Sequence, residues 1–244
     1  MRTPDKEPKL FEEERPPMTA EQLLSVMPEL SAEETDKFIK YYNLLLEWNR
    51  RVNLTRIVSP EDVARKHFAD SVLGKDLIPE GARVVDVGTG AGFPGIPLKI
   101  VRPDIELVMV DSLGKRVNFL RELCSELGIA AEAIHARAED AARDPKLRES
   151  FDAALSRAVA PMNVLTELTV PFVKVGGASL MYKGSGAAEE IAAAGSALRE
   201  LGCRVETVDY EVEWGARTIV RAVKLRPTPK KYPRKAGTAE RSPL

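Results

Sequence analysis

The chain has 244 residues, of which 44% are hydrophobic and 30% are charged, a composition typical of a globular domain with a proper core. Its 36 Lys and Arg nearly balance its 37 Asp and Glu, so the total charge indicates no particular partner. No apolar run approaches the roughly 20 residues that span a bilayer, and no secretory signal is expected at the start. We therefore expect a cytoplasmic protein without a membrane segment, in which Cys124 and Cys203 are reduced thiols.

The charge is distributed unevenly along the chain. Residues 1–35 carry nine acidic and four basic side chains, whereas residues 216–244 carry nine basic side chains and one acid. Such a basic block could contact phosphates, because polyanion binding depends on local charge. The alternative is a solvated terminal tail. We predict a disordered segment over 1–17, which is rich in Pro and Glu, and a basic tail over 226–244.

The first ordered part is predicted to be helical. Capping-box patterns beginning at Thr19 and Ser31 predict the starts of two helices. The second helix places apolar residues at helical spacing on one face, namely Phe38, Tyr42, Leu45, Trp48 and Val52. Pro60 then begins a third helix that runs through residue 68. Residues 18–75 are therefore predicted to form a helical cap with its own apolar face.

From residue 82 the pattern changes to short apolar runs separated by helical stretches. The predicted strands are 82–88, 105–111, 131–135, 151–157, 177–183, 203–212 and 216–225, and the predicted helices between them are 113–127, 161–173 and 187–201. This alternation predicts a parallel sheet covered on both faces, with right-handed crossovers. A short turn before the last strand predicts that it is antiparallel. The fold class is α/β, with a Rossmann-like domain over 76–225.

The segment DVGTGAGFPG (86–95) follows the first strand directly, and its glycines allow the backbone to approach a ligand closely. Two interpretations compete. The frame that starts at Gly88, with Asp86 before it, suits S-adenosylmethionine, whose ammonium and sulfonium favour a nearby acid. The frame that starts at Gly90 matches the dinucleotide fingerprint, but it begins past the strand tip and places two prolines across the helix entry. The first frame fits the strand–turn geometry better.

Asp111 ends the second strand, 23 residues after Gly88. Rossmann-like sites hold a ribose with an acidic side chain at about this spacing, roughly 20 residues on. A carboxylate can accept hydrogen bonds from both ribose hydroxyls. The alternative is that Asp111 only caps the following helix.

The chemistry is indicated partly by absences. The sequence has two histidines and no nucleophile elbow, Walker loop or zinc spacing. Transfer of a sulfonium methyl needs positioning more than acid–base groups, because the leaving thioether is neutral. The motif of amino-group methyltransferases is replaced by SRA (156–158), and neither cysteine is placed as a nucleophile. An acceptor that is already nucleophilic, such as guanine N7, fits best. We assign no catalytic side chain and no metal site.

Arg157 follows the fourth strand, at the edge where open α/β sheets bind ligands. It is the one candidate for a side chain that acts on the reactants, by orienting the acceptor base or by holding the carboxylate of the cofactor. The alternative is a structural ion pair with a nearby acid.

These motifs make the chain resemble the RsmG (GidB) family, bacterial methyltransferases of small-subunit ribosomal RNA. The resemblance covers roughly residues 38–225 and is carried by EWNRRVNLT (47–55), HFADS (67–71), DVGTGAGFPGIP (86–97), DSLGKR (111–116), SRA (156–158) and KG (183–184). It implies a class I methyltransferase fold and S-adenosylmethionine as cofactor. It also implies formation of 7-methylguanosine in the decoding-centre loop of 16S rRNA, on free rRNA or on the small ribosomal subunit. A monomer is expected.

The resemblance also implies which residues bind. The cofactor residues are Gly88, Gly90, Phe93, Asp111, Ser112, Leu113, Ala138, Glu139 and Arg157. Phe93 would supply an apolar wall, and the backbone at Ala138 would face the adenine edge. Candidates for phosphate contact are Lys115, Arg116 and Arg217, each of which could instead be an ordinary surface charge.

Three further polar residues, His67, Asp70 and Ser71, also match the family, and for them a buried structural role is equally open.

Two other functions remain open at this point. One is a nicotinamide-dependent oxidoreductase that uses the glycine frame starting at Gly90. The other is a non-catalytic RNA-binding assembly factor on a Rossmann scaffold.

Overall fold

The computed structural model describes residues 16–244. Most of the segment 1–17, predicted to be disordered, therefore lies outside the described residues. The first two helices begin where the capping boxes predict, because the side chains of Thr19 and Ser31 accept hydrogen bonds from backbone amides of the first turn. The cap consists of α1 (Ala20–Leu24), α2 (Ala32–Asn49), α3 (Pro60–Val63), a π-helical stretch (Ala64–Ala69), α4 (Asp70–Val72) and a 3-10 turn (Lys75–Leu77).

Seven strands form one sheet in the order β3-β2-β1-β4-β5-β7-β6. Their bounds are β1 Arg83–Val87, β2 Glu106–Asp111, β3 Ala131–His135, β4 Phe151–Arg157, β5 Val173–Lys183, β6 Cys203–Tyr210 and β7 Arg217–Lys224. The first five strands pair in parallel, and β7 runs antiparallel to both β5 and β6. The predicted α/β fold, with its antiparallel last strand, is confirmed.

The remaining helices are α5 Gly95–Val101, α6 Gly114–Leu127, α7 Ala138–Ala141, α8 Met162–Thr169, α9 Ala187–Ala193, α10 Gly195–Leu201 and α11 Thr238–Arg241. Two predicted helices differ. The helix predicted over 161–173 ends at Thr169, since Pro171 has no amide hydrogen to continue the ladder. The helix predicted over 187–201 is two helices that meet at Ala194 and Gly195.

The helical cap and one face of the sheet share a single core. The buried rings of Phe38 and Phe68 belong to the same hydrophobic cluster as Val84 and Leu107 of the sheet. Side chains alternate along β1, so Val85 faces a second cluster on the other side. The apolar face predicted for the cap is therefore one layer of the domain, packed over the first strands.

The basic C-terminal region is neither a solvated tail nor a free phosphate-binding block. The chain after β7 folds back onto the domain, and Tyr232 and Ala239 are buried. Six of its nine basic side chains bond to carboxylates or carbonyls of the protein, namely Arg217, Arg221, Lys224, Arg226, Lys231 and Arg234. Local charge predicted contact with phosphate or water; in the structure, five of these nine side chains form ion pairs with carboxylates of the same protein.

Candidate functional site

The loop that leaves β1 carries three glycines with positive φ, at Gly88 (69°), Gly90 (60°) and Gly92 (94°). A Cβ atom at Gly88 would lie 2.8 Å from Val159 Cγ2, and a Cβ atom at Gly92 would lie 2.7 Å from the Tyr41 hydroxyl oxygen. Both backbone conformation and space therefore require glycine at these two positions. The turn brings the main chain to the carboxyl edge of the sheet, where such folds bind ligands.

Asp86 lies beneath this loop and not in front of it. Its carboxylate is fully buried, and Oδ2 accepts hydrogen bonds from the Thr89 hydroxyl (2.7 Å) and the Gly95 amide (2.9 Å). Burial raises the pKa of Asp86 to about 6, against the opposing effect of these two bonds. The expectation that Asp86 meets the charged groups of a cofactor is wrong for this geometry. The side chain braces the loop because it points to the same face of β1 as Val84.

Asp111 combines the two roles that the sequence left open. Its Oδ2 accepts a hydrogen bond from the Gly90 amide (2.9 Å), and Oδ1 accepts one from the Leu113 amide (2.9 Å) at the entry to α6. The Arg116 guanidinium lies 3.6 Å from Oδ2. The carboxylate thus caps the following turn and also ties the glycine loop to β2. Each oxygen has a second lone pair, so these bonds do not exhaust its capacity to accept.

A small cavity of about 100 Å³ opens between the tips of the first three strands. Predicted cofactor residues that line it are Gly88, Asp111, Ser112, Ala138 and Glu139. Val159 and Glu240 line it as well, and the sequence pattern gave no signal for either residue. Five of the nine predicted cofactor residues are thus brought together, from three separate stretches of the chain.

Phe93 and Leu113 lie elsewhere. The Phe93 ring is buried between Tyr41 (ring centroids 5.3 Å apart) and His67 (4.4 Å), and it supports the glycine loop from beneath instead of lining the cavity. The side chain of Leu113 is half exposed and is not among the lining residues. The predicted apolar wall is therefore not supplied by Phe93 in this arrangement.

Glu139 is buried and already engaged. Its Oε1 accepts a hydrogen bond from the Gly237 amide (2.7 Å), and Oε2 lies 3.4 Å from the Arg137 guanidinium. Burial raises the pKa of Glu139, but the bonds from Gly237 and Arg137 outweigh it and the pKa is lowered overall. The carboxylate is consequently ionised, and it joins the cavity to the C-terminal part of the chain.

Arg157 belongs to a cluster of charges at the other half of the sheet edge. Its Nη1 donates to Asp70 Oδ2 (2.9 Å) and to the Lys66 carbonyl (3.0 Å). The second oxygen of Asp70 accepts from Arg217 Nε (2.6 Å) and Trp214 Nε1 (3.1 Å). The ion pair considered as an alternative for Arg157 is present. Arg217, a candidate for phosphate contact, is held by the same carboxylate and is not a free surface charge.

His67 completes the cluster as a neutral group. Its Nδ1 lies 3.2 Å from Arg157 Nη2, and its Nε2 lies 2.8 Å from Thr55 Oγ1. A guanidinium only donates, so Nδ1 accepts and Nε2 carries the hydrogen that it donates to Thr55. Burial, with the nearby Arg157 charge, lowers the pKa of His67 to about 3. Ser71 donates its hydroxyl to the His67 carbonyl, so these residues have structural roles.

A larger cavity of about 680 Å³ lies over this cluster, at the tips of β4, β5 and β7. Its polar lining includes Asp70, Arg157, Lys183, Arg217, Thr218 and Glu190. Lys183 Nζ lies 2.7 Å from Glu190 Oε2. Val159 lines both cavities and follows Ala158, whose φ of 56° is rare for a residue with a side chain. The two cavities therefore adjoin along the carboxyl edge of the sheet.

The other side chains singled out in the sequence do not line either cavity. Lys115 is exposed on the first turn of α6, and Arg116 beside it is half-buried against Asp111. Cys124 and Cys203 are both free, and burial raises the pKa of each thiol to about 11. Within residues 16–244, no group of His, Cys, Asp or Glu could hold a metal ion. No helix in that part of the chain is long and apolar enough to cross a membrane.

The residues around the smaller cavity fit S-adenosylmethionine in their chemistry. Asp111 offers carboxylate oxygens for ribose hydroxyls, and Gly88 leaves its backbone bare where a Cβ would clash with Val159. The volume of about 100 Å³ is below the roughly 300 Å³ at which ligand pockets begin, whereas the adjoining cavity is well above it. Val159 lines both cavities and stands at the boundary between them.

Solved structures define the class of fold. A SAM-dependent methyltransferase from Aquifex aeolicus aligns with a TM-score of 0.50 at 23% identity, covering 68% of this chain and 94% of that chain. A SAM-dependent O-methyltransferase from Thermotoga maritima aligns with a TM-score of 0.51 at 16% identity, covering 78% and 73%. The domain has the class I fold of S-adenosylmethionine-dependent methyltransferases.

Sequence comparison narrows the class to a family. The model of rRNA small subunit methyltransferase G matches residues 34–219. Ribosomal RNA small subunit methyltransferase G of Clostridium botulinum (strain Alaska E43 / Type E3) is 47% identical over 225 residues, covering 88% of this chain and 93% of the relative. The protein of that name from Lactobacillus delbrueckii subsp. bulgaricus (strain ATCC BAA-365 / Lb-18) is 46% identical over 239 residues, covering 94% and 99%.

The chain therefore belongs to the rRNA small subunit methyltransferase G family, as its resemblance to RsmG (GidB) predicts. The predictions of a methyltransferase and of S-adenosylmethionine as its cofactor are confirmed. This result sets aside the nicotinamide-dependent alternative.

Proposed function

We propose that this enzyme transfers the methyl group of S-adenosylmethionine to N7 of a guanosine in 16S rRNA. The observation that carries the proposal is the pair of adjoining cavities. The charged side chains that line the first are three carboxylates and one cation, namely Asp111, Glu139, Glu240 and Arg137. Those that line the second are three cations and two carboxylates, namely Arg157, Lys183, Arg217, Asp70 and Glu190. A cationic methyl donor suits the first cavity, and a nucleotide of an anionic polymer suits the second.

In the first cavity, Asp111 would accept hydrogen bonds from the ribose hydroxyls, and the backbone at Ala138 would face the adenine. Bound cofactor supplies the methyl group as an electrophile on sulfur. Gly88 lets the main chain approach it closely, and Val159 stands between donor and acceptor. These residues act by position, which is the main requirement of a transfer with a neutral leaving group.

In the second cavity, the described side chains that could act as a general base are engaged by other groups. Asp70 accepts from two guanidiniums and an indole, and Glu190 accepts from Lys183 and the Met162 amide. The pKa of His67 is lowered to about 3, and its ring is held by two partners. Guanine N7 carries a lone pair and no proton, so its methylation needs no base. Arg157 and Lys183 are placed to orient the guanine and its phosphate.

The rRNA contact would continue beyond the cavities. Lys115 and Arg116 are on the first turn of α6, beside the cofactor cavity, and Arg217 lines the acceptor cavity, so all three remain candidates for phosphate contact. Among the described residues the large exposed apolar side chains are four and separated along the chain, namely Leu113, Val159, Val175 and Leu225. So few exposed apolar side chains favour a monomer. A small-subunit substrate places the enzyme in the cytoplasm.

The deciding experiment compares methyl transfer to free 16S rRNA and to small subunits, both from a strain that lacks the enzyme. Nucleoside mass spectrometry should find one 7-methylguanosine missing from the deletion strain and restored by the purified enzyme with S-adenosylmethionine. The variant Asp111→Ala should restore it poorly, because its cofactor affinity falls. An unchanged 7-methylguanosine content in the deletion strain, or a methyl group on another atom, would contradict the proposal.

A further inference from the structure

The chain after β7 is anchored to the domain by buried carboxylates. We call residues 228–241 the docked segment. The Arg234 guanidinium donates to both oxygens of Glu167, which is 1% exposed, with Nη2 2.6 Å from Oε2 and Nε 3.0 Å from Oε1. The Arg234 amide also donates to Oε1 (2.7 Å). At the other end of the segment, the Thr228 amide donates to Glu149 (2.8 Å). Unpaired, the buried carboxylate of Glu167 would be strongly unfavourable, so the segment is a fixed part of the fold.

The far end of the docked segment reaches the cofactor cavity. The Gly237 amide donates to Glu139, a residue that lines the cavity. Ala239 is 2% exposed and packs with Val164 and Leu168 of α8. The next residue, Glu240, itself lines the cavity. The segment therefore supplies one wall of this cavity, although it lies beyond the residues 34–219 that the family model matches.

On this side of the cavity, the Glu240 carboxylate is free to accept a new hydrogen bond. Its side chain is 62% exposed, and its contact with Arg137 is long, at 3.7 Å, as in a weak surface ion pair. The neighbouring Glu139 carboxylate is already bonded to Gly237 and Arg137. Asp111 would hold the ribose of a bound nucleoside. The wall that contains Ala138 and Glu240 would then face its base.

We propose that the docked segment closes the adenine end of the cofactor site, and that the Glu240 carboxylate accepts a hydrogen bond from the exocyclic amino group of adenine. This inference rests on the proposed function, since it requires an adenosyl cofactor in this cavity. The chemistry is specific: an amino group donates to a carboxylate, whereas the carbonyl oxygen at the same position of hypoxanthine is repelled by it. Glu240 thus selects an adenosyl over an inosyl ligand.

Calorimetric titration with S-adenosylhomocysteine and with S-inosylhomocysteine tests the contact directly. The wild-type protein should bind the adenosyl compound more tightly. Glu240→Ala should weaken adenosyl binding about three- to tenfold, the range of a single hydrogen bond at a partly exposed site, and should leave inosyl binding unchanged or improved. Glu240→Gln keeps an acceptor oxygen and should lose less. The control Glu126→Ala removes an exposed carboxylate of α6 and should change neither affinity.

Hydrogen exchange provides a readout that does not depend on the substitution. Because coupling between two events is reciprocal, a ligand that contacts the docked segment must also stabilise it. Saturating S-adenosylhomocysteine should slow the exchange of amides over 234–241 in the wild-type protein, and less so in Glu240→Ala. If the wild-type protein binds no S-adenosylhomocysteine, the proposed function fails. If it binds but the adenosyl preference survives Glu240→Ala and exchange over 234–241 is unchanged, this inference alone is overturned.

Discussion

The two halves of the carboxyl edge of the sheet hold their carboxylates in different ways. In the half formed by β1, β2 and β3, the hydrogen bonds to Asp86 and Asp111 come from neutral donors, which are backbone amides and one hydroxyl. A nearby cation, Arg116, lies 3.6 Å from Asp111 and makes no hydrogen bond to it. In the half formed by β4, β5 and β7, Asp70 bonds to the guanidiniums of Arg157 and Arg217. The first half therefore keeps negative charge, whereas the second half carries a surplus of positive charge.

This difference in charge suits the first half of the sheet edge to the cofactor and the second half to the rRNA. Neutral donors stabilise a carboxylate without cancelling its charge, so the first half still attracts a sulfonium. In the second half two cations share one carboxylate, which leaves charge for a phosphate or a guanine. Val159 lines both cavities and marks the boundary between them. Substitutions on either side should therefore have effects of different kinds.

Asp70→Ala should have the largest effect. It leaves the guanidiniums of Arg157 and Arg217 without their shared carboxylate, and breaking a buried pair from one side costs about 3–5 kcal/mol. The free energy of unfolding, measured in urea, should fall by an amount in this range. The control Asp36→Ala removes an exposed partner of Lys40 and should change the free energy by about 0.5 kcal/mol or less. Equal losses in the two variants would mean that the cluster contributes no more than a surface ion pair.

Asp86→Asn should change how the free energy of unfolding depends on pH. Asp86 belongs to the first half of the edge, where the carboxylate bonds to neutral donors and not to a guanidinium. Burial raises the folded-state pKa of Asp86 from 3.8 to about 6, so the folded protein binds more protons than the unfolded chain between these values. Stability from this group is therefore complete below its unfolded pKa and is lost as the pH rises through about 6. Between about pH 4 and pH 7, the unfolding free energy of Asp86→Asn should rise relative to wild type by up to about 3 kcal/mol.

A second carboxylate provides a control with the opposite sign. The bond from Arg102 lowers the pKa of Asp104, so this group stabilises the fold above its unfolded pKa and loses that contribution as the pH falls. The Asp104→Asn variant should therefore lose stability relative to wild type as the pH rises through the acidic range. Parallel pH profiles for the two variants would show that burial does not govern the titration of Asp86.

The same contrast explains what the sequence could predict. In the first half the partners of each carboxylate lie 2 to 21 residues away, within one strand–turn–helix unit or between adjacent strand tips. Spacing and glycine pattern capture such contacts and predicted Gly88 and Asp111, whereas Ser112, Ala138 and Glu139, which line the same cavity, were implied only by the family resemblance. The strands were also predictable, because a strand buried on both faces reads as a continuous apolar run.

The sequence pattern did not indicate the ionic cluster around Asp70. Asp70 meets Arg157, Trp214 and Arg217 across 87, 144 and 147 residues, and only the folded cap brings them together. The docked segment was missed for a related reason. Its lysines and arginines predict contact with solvent or phosphate, whereas Arg234 pairs with Glu167, a buried acid elsewhere in the chain. Charge patterns show where charge lies along the sequence but do not identify its partner.

The smallest effect is expected at the boundary itself, where Gly88 faces Val159. Gly88→Ala should cost about 1–2 kcal/mol, because a φ of 69° is unfavourable for alanine and because the new Cβ would lie 2.8 Å from Val159 Cγ2. Val159→Ala removes the second cause but not the first. In a double-mutant cycle of unfolding free energies, Val159→Ala should therefore recover about 0.5–1 kcal/mol of the loss. The unrecovered part measures the backbone conformation alone. Simple additivity of the two substitutions would mean that the Val159 side chain yields freely, so that the two cavities already form one continuous cleft.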